Sequence, residues 1–283
     1  MKKYILITGA SSGIGRQTVI ELSKESNNYI IFAAIRRRED KTLIERVSKN
    51  VIGVYLDITN KTSILKAFRF ITSKTKVLDV IINSAGVATA GPLELLNIND
   101  IKSQFEVNTF GPLFLVQTFL TILNKNGKII NINSMAQTGI FPFISPYCAS
   151  KRALSIFLNA LNIELHNNKN IKIIEINPGV VQTQIWKKSV QACQENIKKS
   201  NNPDLINCYQ NELNILKANA LKNETRGLFS IDIAKLIIKI IKNKNPKTRY
   251  NIGLDSHFAF LISKLLPCEL LNKLIKFKLK NLS

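Results

Sequence analysis

Tyr147 and Lys151 stand four residues apart in the stretch YCASK, in a chain with only two histidines to supply ordinary acid–base chemistry. Residues at that spacing share one face of a helix, so a phenol and an ammonium can act on one point. An unperturbed tyrosine titrates near about 10, and bringing it to neutrality takes about three units, roughly 4 kcal/mol. An ammonium about 4 Å away supplies up to about 4 kcal/mol at an effective dielectric of about 20, before desolvation subtracts. One lysine is therefore an effect of the right size. The phenol could then give a proton to a developing alkoxide, or take one from an alcohol, near neutral pH. The same spacing also describes two long side chains snorkelling on a helix surface.

Ser134 follows an apolar run, and an open α/β sheet binds ligands outside the carboxyl ends of its strands. Asn108 lies upstream in helix-like sequence. Taken singly, a serine ending a strand is more often a cap, and a helical asparagine is usually exposed. Near the amino terminus, TGASSGIG at residues 8–15 follows a β-branched run and precedes a helical pattern. Glycines in such a loop let the backbone turn tightly and approach a pyrophosphate, whose charge meets the free N–H groups of the helix. The spacing is GxxxGxG, not the GxGxxG of the usual dinucleotide fingerprint. About 20 residues further on, where sheets selective for NAD carry an acid for the ribose 2′-hydroxyl, stand Ala33, Ala34, Ile35 and then Arg36, Arg37 and Arg38. A guanidinium suits multidentate phosphate recognition. The expected cofactor is NADP(H), with NAD(H) as the alternative; Arg36 would hold the 2′-phosphate and Arg37 assist, while at least one of the three arginines is plain solvated charge.

In order along the chain, TGASSGIG, Asp57 ending the third strand, the stretch NSAG at residues 83–86, Asn108, Ser134, the Tyr147–Lys151 pair, and Pro178-Gly179 with Thr183 resemble the motifs of the classical short-chain dehydrogenase/reductase family. The likeness runs from residue 3 to about 185 and is loose beyond. The wider sequence resembles the branch holding hydroxysteroid and retinol dehydrogenases and lipid-ketone reductases. The resemblance implies that Tyr147 is the acid–base group, that Lys151 lowers its pKa and holds the nicotinamide ribose, that Ser134 hydrogen-bonds the substrate oxygen, and that Asn108 holds a water linking the lysine to solvent. It implies cofactor contacts from Gly9, Ser11, Ser12, Gly13, Ile14 and Gly15. Asp57 and Ile58 would border the adenine, with Asn83, Ala85 and Gly86 beside it. Pro178, Gly179 and Val181 would complete the set, and Thr183 would bind the carboxamide. Ser84 replaces the commoner second asparagine of its motif, a small change because the backbone carries much of that role.

These residues need a scaffold, and the chain spells one. Short apolar β-branched runs alternate with helical patterns: KYILIT, then a helix from Gly13; YIIFAAI, then a helix through Arg46; VIGVYLD, then a helix through Phe70; LDVIINSAG, then a long helical stretch to Leu123; GKIININ, then a helix over 146–166; and IKIIEINPG. Strands apolar throughout and separated by amphipathic helices imply a parallel sheet covered on both faces. The expected fold class is α/β, a Rossmann-type doubly wound parallel sheet of about seven strands in a single domain. Residues 1–255 would form that domain. The polar segment 184–227 would cover the substrate site, and a helix over Ile231–Ile241 and a strand over Arg249–Ile252 would complete the sheet. No metal site is expected, because Cys148, Cys193, Cys208 and Cys268 form no CxxC pair; they read as reduced thiols of a cytoplasmic protein. The start has no signal-peptide core, and no segment reaches the about 18 apolar residues of a membrane span.

Substrate contacts are expected from Ser134, Tyr147, Phe141, Ile185 and Trp186, with Val87 and Phe143 nearby; Lys187 and Lys188 are the only candidates for clamping a carboxylate. An apolar ketone or secondary alcohol therefore fits better than a sugar or a short acid. Reduction is the expected direction, because cells hold NADPH reduced. The alternatives are a 3-oxoacyl or other lipid-ketone reductase, or an NADP-binding sensor without catalysis. The formal charge of +21 raises nucleic acid as a partner. The lysines are spread along the chain with no basic arm, so no nucleic acid is expected; a homo-oligomer, dimer or tetramer, is. Residues 256–283 combine leucines with lysines, as a basic amphipathic tail would. Such a tail could pack on the domain, on a partner subunit or on a membrane surface.

Overall fold

The computed structural model describes residues 2–165, 170–198 and 207–280. Seven strands form one sheet: β1 (Lys3–Ile7), β2 (Tyr29–Ile35), β3 (Val51–Tyr55), β4 (Leu78–Asn83), β5 (Leu123–Ile132), β6 (Lys172–Pro178) and β7 (Arg249–Ile252). Their spatial order is 3-2-1-4-5-6-7, and every neighbouring pair runs parallel. The order reverses between β1 and β4, and that crevice is where such sheets bind nucleotides.

Strand alternation builds two cores. Ile5 and Ile7 point to one face with Ile31, Val80, Ile130 and Ile174, against Val19 and Leu22 of helix α1 (Gly13–Ser23) and Ile233 and Ile237 of helix α9 (Ser230–Lys242). Leu6 between them points the other way, into a cluster with Phe32, Ile81 and Ile129. That cluster packs on Ile64 and Ile71 of helix α3 (Lys61–Lys74), Leu115 and Phe119 of α5 (Gly111–Phe119), and Leu154 and Leu158 of α6 (Ser145–Glu164). Helix α2 (Arg38–Glu45) flanks β2 and β3. Lys128 of β5 is buried yet satisfied: its Nζ donates to Ile241 O and Asn243 O at 2.7 Å, closing the carbonyl end of α9.

Several elements differ from expectation. The long helix before β5 is instead α4 (Ile98–Phe105), a π-helical turn (Glu106–Phe110) and α5. Pro112 in the first turn of α5 has no N–H to return along a regular helix, and Gly111 N bonds Glu106 O across the wide turn. Leu123 opens β5 instead of closing a helix. Asp57 lies two residues past β3, and α3 runs four residues beyond Phe70. Helix α6 ends at Glu164 with Leu165 as its cap, and His166, the last residue expected to be helical, lies outside the described residues. The segment after β6 forms α7 (Ile185–Lys198) and α8 (Gln210–Arg226). The tail is two helices, α10 (Leu254–Leu265) and α11 (Cys268–Lys280), divided at Pro267.

Candidate active site

The first βα loop is shaped by steric need. Gly9 (φ +66°) and Gly13 (φ +54°) occupy left-handed conformations, and a Cβ on Gly9 would lie 2.9 Å from the Ala85 backbone. Thr8 ties the two neighbouring loops, its Oγ1 accepting from Ser84 N and Ala85 N at 3.1 and 3.2 Å. Ser12 caps α1 without a side-chain bond, and no acid stands in the first turn, so the free N–H groups are open to an anion. A Cβ on Gly13 would meet the Thr183 methyl at 3.5 Å, which sets the start of the roof over this loop.

These groups line one cleft of about 1810 Å³. Into it converge Gly9, Ser11, Ser12, Gly13, Ile14, Arg36, Arg37, Asp57, Ile58, Ala85, Gly86, Ser134, Tyr147, Lys151, Pro178, Gly179, Val181 and Thr183, with Phe141, Ile185 and Trp186. Arg36 and Arg37 are exposed, and neither has an ion-pair partner among the described residues. The residues present therefore fit a phosphorylated dinucleotide. Asp57 Oδ1 is occupied by Thr59, accepting from its N and Oγ1 at 3.0 and 2.7 Å.

Three expected contacts fall elsewhere. Gly15 is buried and packs on Gly9 O, so it lets helix and strand close up and does not face a ligand. Asn83, at 2% exposure, ends β4 and does not line the cleft; neither amide atom has a hydrogen-bond partner among the described residues. Asn108 is fully buried in the π-helical turn and does not line the cleft. Its Oδ1 accepts from Val87 N at 2.9 Å, while its Nδ2 donates to Val87 O at 2.8 Å and Ser150 Oγ at 3.0 Å. Ser150 Oγ donates in turn to Tyr147 O at 2.9 Å, and Thr109 Oγ1 donates to Ser150 O at 2.9 Å. The asparagine thus clamps the β4 loop to the first turns of α6.

Tyr147 and Lys151 are both buried, and Ser134 lines the cleft with them, near enough to the phenol to affect its titration. Burial pushes the phenol up to about 12, with Ser134 opposing it and Cys148 adding to the rise. Lys151 Nζ does not reach the hydroxyl: it donates to Ile132 O at 3.0 Å and lies 6.0 Å from the Tyr147 ring centre. Burial lowers the ammonium to about 8. In this arrangement desolvation dominates, so the pair alone does not bring the phenol toward neutrality. Gly86 keeps the lysine's path open, since a Cβ there would stand 3.4 Å from Nζ. Ser134 Oγ also accepts from Ala136 N at 3.1 Å, capping the short turn Met135–Thr138.

Around the phenol the walls are apolar. Ala88, Ala136 and Cys148 cluster with Tyr147, and Phe141, Ile144, Ile185 and Trp186 pack against them. Trp186 meets Tyr147 edge to face, centroids 5.4 Å apart. Lys188 lines the cleft and Lys187 does not. Sequence reading missed Ser150, Gln104, Asp255 and the tail residues Phe258, Ile262, Leu271 and Ile275 as participants. Asp255 Oδ2 accepts from Val180 N at 2.8 Å, holding the loop after β6. A single acid next to a turn glycine gives little signal; the apolar period of the tail was visible, but not which side would face the cleft.

The model of the short chain dehydrogenase family matches residues 3–194, and the chain belongs to that family. It is an oxidoreductase acting on CH–OH groups. Among its curated relatives, 3-amino-tetrahydro-pyrrolizinone reductase of Xenorhabdus hominickii is 32% identical over 94% of this chain and 92% of the relative. 3-Ketodihydrosphingosine reductase of Bacteroides thetaiotaomicron is 32% identical over 93% of this chain and 92% of its own length. NADPH-dependent 3-dehydrocapnine reductase of Ornithobacterium rhinotracheale is 29% identical over 99% of both chains. A short-chain dehydrogenase of known structure from Streptomyces avermitilis shares the fold, with a TM-score of 0.74 at 20% identity over 99% of this chain and 97% of that one.

Proposed function

We propose that this chain is an NADPH-dependent reductase of an apolar ketone or aldehyde, with Tyr147 as proton donor and Ser134 as the partner of the carbonyl oxygen. The observation that carries the reading is that Tyr147, Ser134 and Lys151 line one cleft, with Phe141, Ile144, Ile185 and Trp186 packed around the tyrosine. NADP(H) is supported by the exposed Arg36 and Arg37 lining the cleft where a 2′-phosphate would be met, and by the NADPH dependence in the name of one relative. Relatives named for the reduction of keto and dehydro compounds support the direction.

When bound, the dinucleotide supplies the hydride; the protein supplies position and a proton. Arg36 and Arg37 would hold the 2′-phosphate, the first turn of α1 the pyrophosphate, Lys151 the ribose hydroxyls and Thr183 the carboxamide. Ser134 donates to the substrate oxygen and fixes it beside the phenol. Tyr147, whose phenol burial keeps in the protonated form, gives its proton to that oxygen as negative charge develops there. Lys151 needs to leave Ile132 O to support the phenolate left behind. Asn108 contributes by holding α6 in register; the amide bonds to Val87 and Ser150 support this positioning role in place of a water site facing the lysine.

The large apolar cleft favours a lipid-like ketone, including 3-oxo compounds, over a small polar one. Exposed Phe110, Ile156, Phe157 and Ile163 around the outer side of α6 support assembly into a homo-oligomer. A screen of steroid, retinoid, acyl and 3-oxo carbonyls with NADPH and NADH tests the reading. Turnover of apolar ketones with NADPH well ahead of NADH is the expected result. Equal efficiency with NADH would defeat the phosphate assignment, and preference for short polar carbonyls would defeat the substrate class.

A further inference from the structure

The two tail helices are apolar on both sides. Phe258 and Ile262 of α10 and Leu271 and Ile275 of α11 face the cleft that holds Tyr147. Leu254, Leu261 and Leu265 of α10, with Leu270, Leu274 and Phe277 of α11, do not line that cleft. They are exposed, Leu254 to 91% and Leu265 to 69%. Single exposed leucines are normal on a protein surface, but a run of them on two consecutive helices marks an interaction face. The described residues of the domain leave this face exposed, so packing on them does not account for the tail's outer leucines.

Charge indicates what does. Lys264, Lys273 and Lys276 are exposed on the same helices, and Lys264 lies along an apolar side chain, Nζ 4.8 Å from the Phe260 ring centre. Of the acids described here, Asp255 is held by Val180 N, which leaves Glu269 against the lysines. The whole chain carries +21. At helical spacing Lys264 and Lys273 flank the leucine face, so an isologous contact would bring like charges together at its edges, where they repel. A bilayer of anionic lipid offers acyl chains to the leucines and phosphates to the lysines at once. Among the described residues no helix is long and apolar enough to cross a membrane, so the fitting mode is contact with one leaflet.

We propose that the outer face of α10 and α11 docks on an anionic membrane surface, so that the wall these helices form between lipid and cleft is where an apolar substrate enters. Docking stands on the surface itself; delivery of a ketone rests on the reductase reading above.

Flotation of the full chain with phosphatidylcholine vesicles, with and without phosphatidylglycerol, tests docking without any substrate. The wild type is expected to float with the anionic vesicles, less so as salt rises. A triple variant, Leu254→Asp, Leu261→Asp and Leu265→Asp, should lose about tenfold or more of the bound fraction while keeping the wild-type circular dichroism spectrum and Tm. A second variant, Lys264→Glu, Lys273→Glu and Lys276→Glu, alters only exposed lysines and should lose binding to the anionic vesicles by a similar factor. Absence of wild-type flotation, or equal flotation of wild type and the lysine variant, would overturn the proposal. So would sedimentation showing a wild-type dimer that the leucine variant converts to monomer while neither floats, because the face would then be a subunit contact. Wild-type flotation with no turnover of any ketone would break the reductase reading and leave docking standing.

Discussion

The floor of the cleft is held from several sides at once, whereas its roof and rim are amphipathic helices half open to solvent. Asn108 and Ser150 at 0% exposure, Lys151 at 5% and Tyr147 at 6% sit where the π-helical turn, β5 and α6 meet. Each is fixed by a backbone group or a buried hydroxyl. Ile215 and Leu216 of α8, and Ile262 of α10, reach the same cleft with side chains only partly covered. A floor over-determined by backbone bonds keeps reacting groups within a fraction of an ångström. A roof held mainly by apolar contact can be reshaped without disturbing them. On the proposed function, reaction type and substrate choice sit in separable parts of one pocket.

Substitutions on the two sides should differ in kind. The largest effect belongs to the floor: Tyr147→Phe should lower kcat about 1000-fold or more while NADPH binding, read by fluorescence titration, is unchanged. Retained turnover would remove the tyrosine from its role. Arg36→Ala, at the cofactor end, should raise the KM for NADPH roughly 10- to 100-fold and leave that for NADH nearly as it was. Asn108→Ala should lower stability by about 1–2 kcal/mol in urea denaturation, because two part-buried backbone groups of Val87 and the buried Ser150 hydroxyl lose their partner; unchanged stability would dissolve the clamp.

The buried lysine gives the floor a pH signature. Its folded pKa is lowered to about 8 by burial, below its ordinary value of 10.5. The unfolded chain therefore keeps a proton that the folded chain has released between about pH 8 and 10.5, and stability should rise with pH across that window. Below it the full penalty, roughly 3 kcal/mol, is present. Lys128 is lowered to about 8 by the same cause, so Lys151→Met should shrink the rise in Tm without abolishing it. An undiminished slope would show that the ammonium is not strained there. The smallest effect belongs to the roof: Trp186→Ala should change KM for apolar ketones by less than about tenfold, reordering substrates with little change in the best kcat. If it cut kcat as deeply as Tyr147→Phe, the division between floor and roof would fail.

The same division separates what could be read along the chain from what could not. The strands were legible because Ile5, Leu6 and Ile7 serve opposite cores and must all be apolar. The glycine loop was legible because glycine takes the left-handed conformations at 9 and 13 without strain, and a Cβ at 9 would lie 2.9 Å from the Ala85 backbone. The meeting of Ser134 with Tyr147 followed from their places after β5 and at the start of α6. What stayed hidden was direction. Nothing local tells that Lys151 donates to Ile132 O, that Asn108 turns to Val87 and Ser150, or that Gly15 and Asn83 face inward. Those choices are set by partners distant along the chain or across the sheet. The break at Pro267 was visible in principle, since proline ends helices, but the even spread of leucines around it reads as one segment.

The clamp of Asn108 and Ser150 also bears on how such a chain could drift. Both side chains hold the scaffold together whether or not any reaction takes place, so selection for folding alone would retain them. The Tyr147 hydroxyl has no such duty among the described hydrogen bonds; it shares the cleft with Ser134. A lineage that kept the nucleotide and abandoned turnover could shed the phenol cheaply while preserving its neighbours. The surviving hydroxyl at 147 is thus the more informative mark of a protein still at work, and the asparagine chiefly the mark of one still folded.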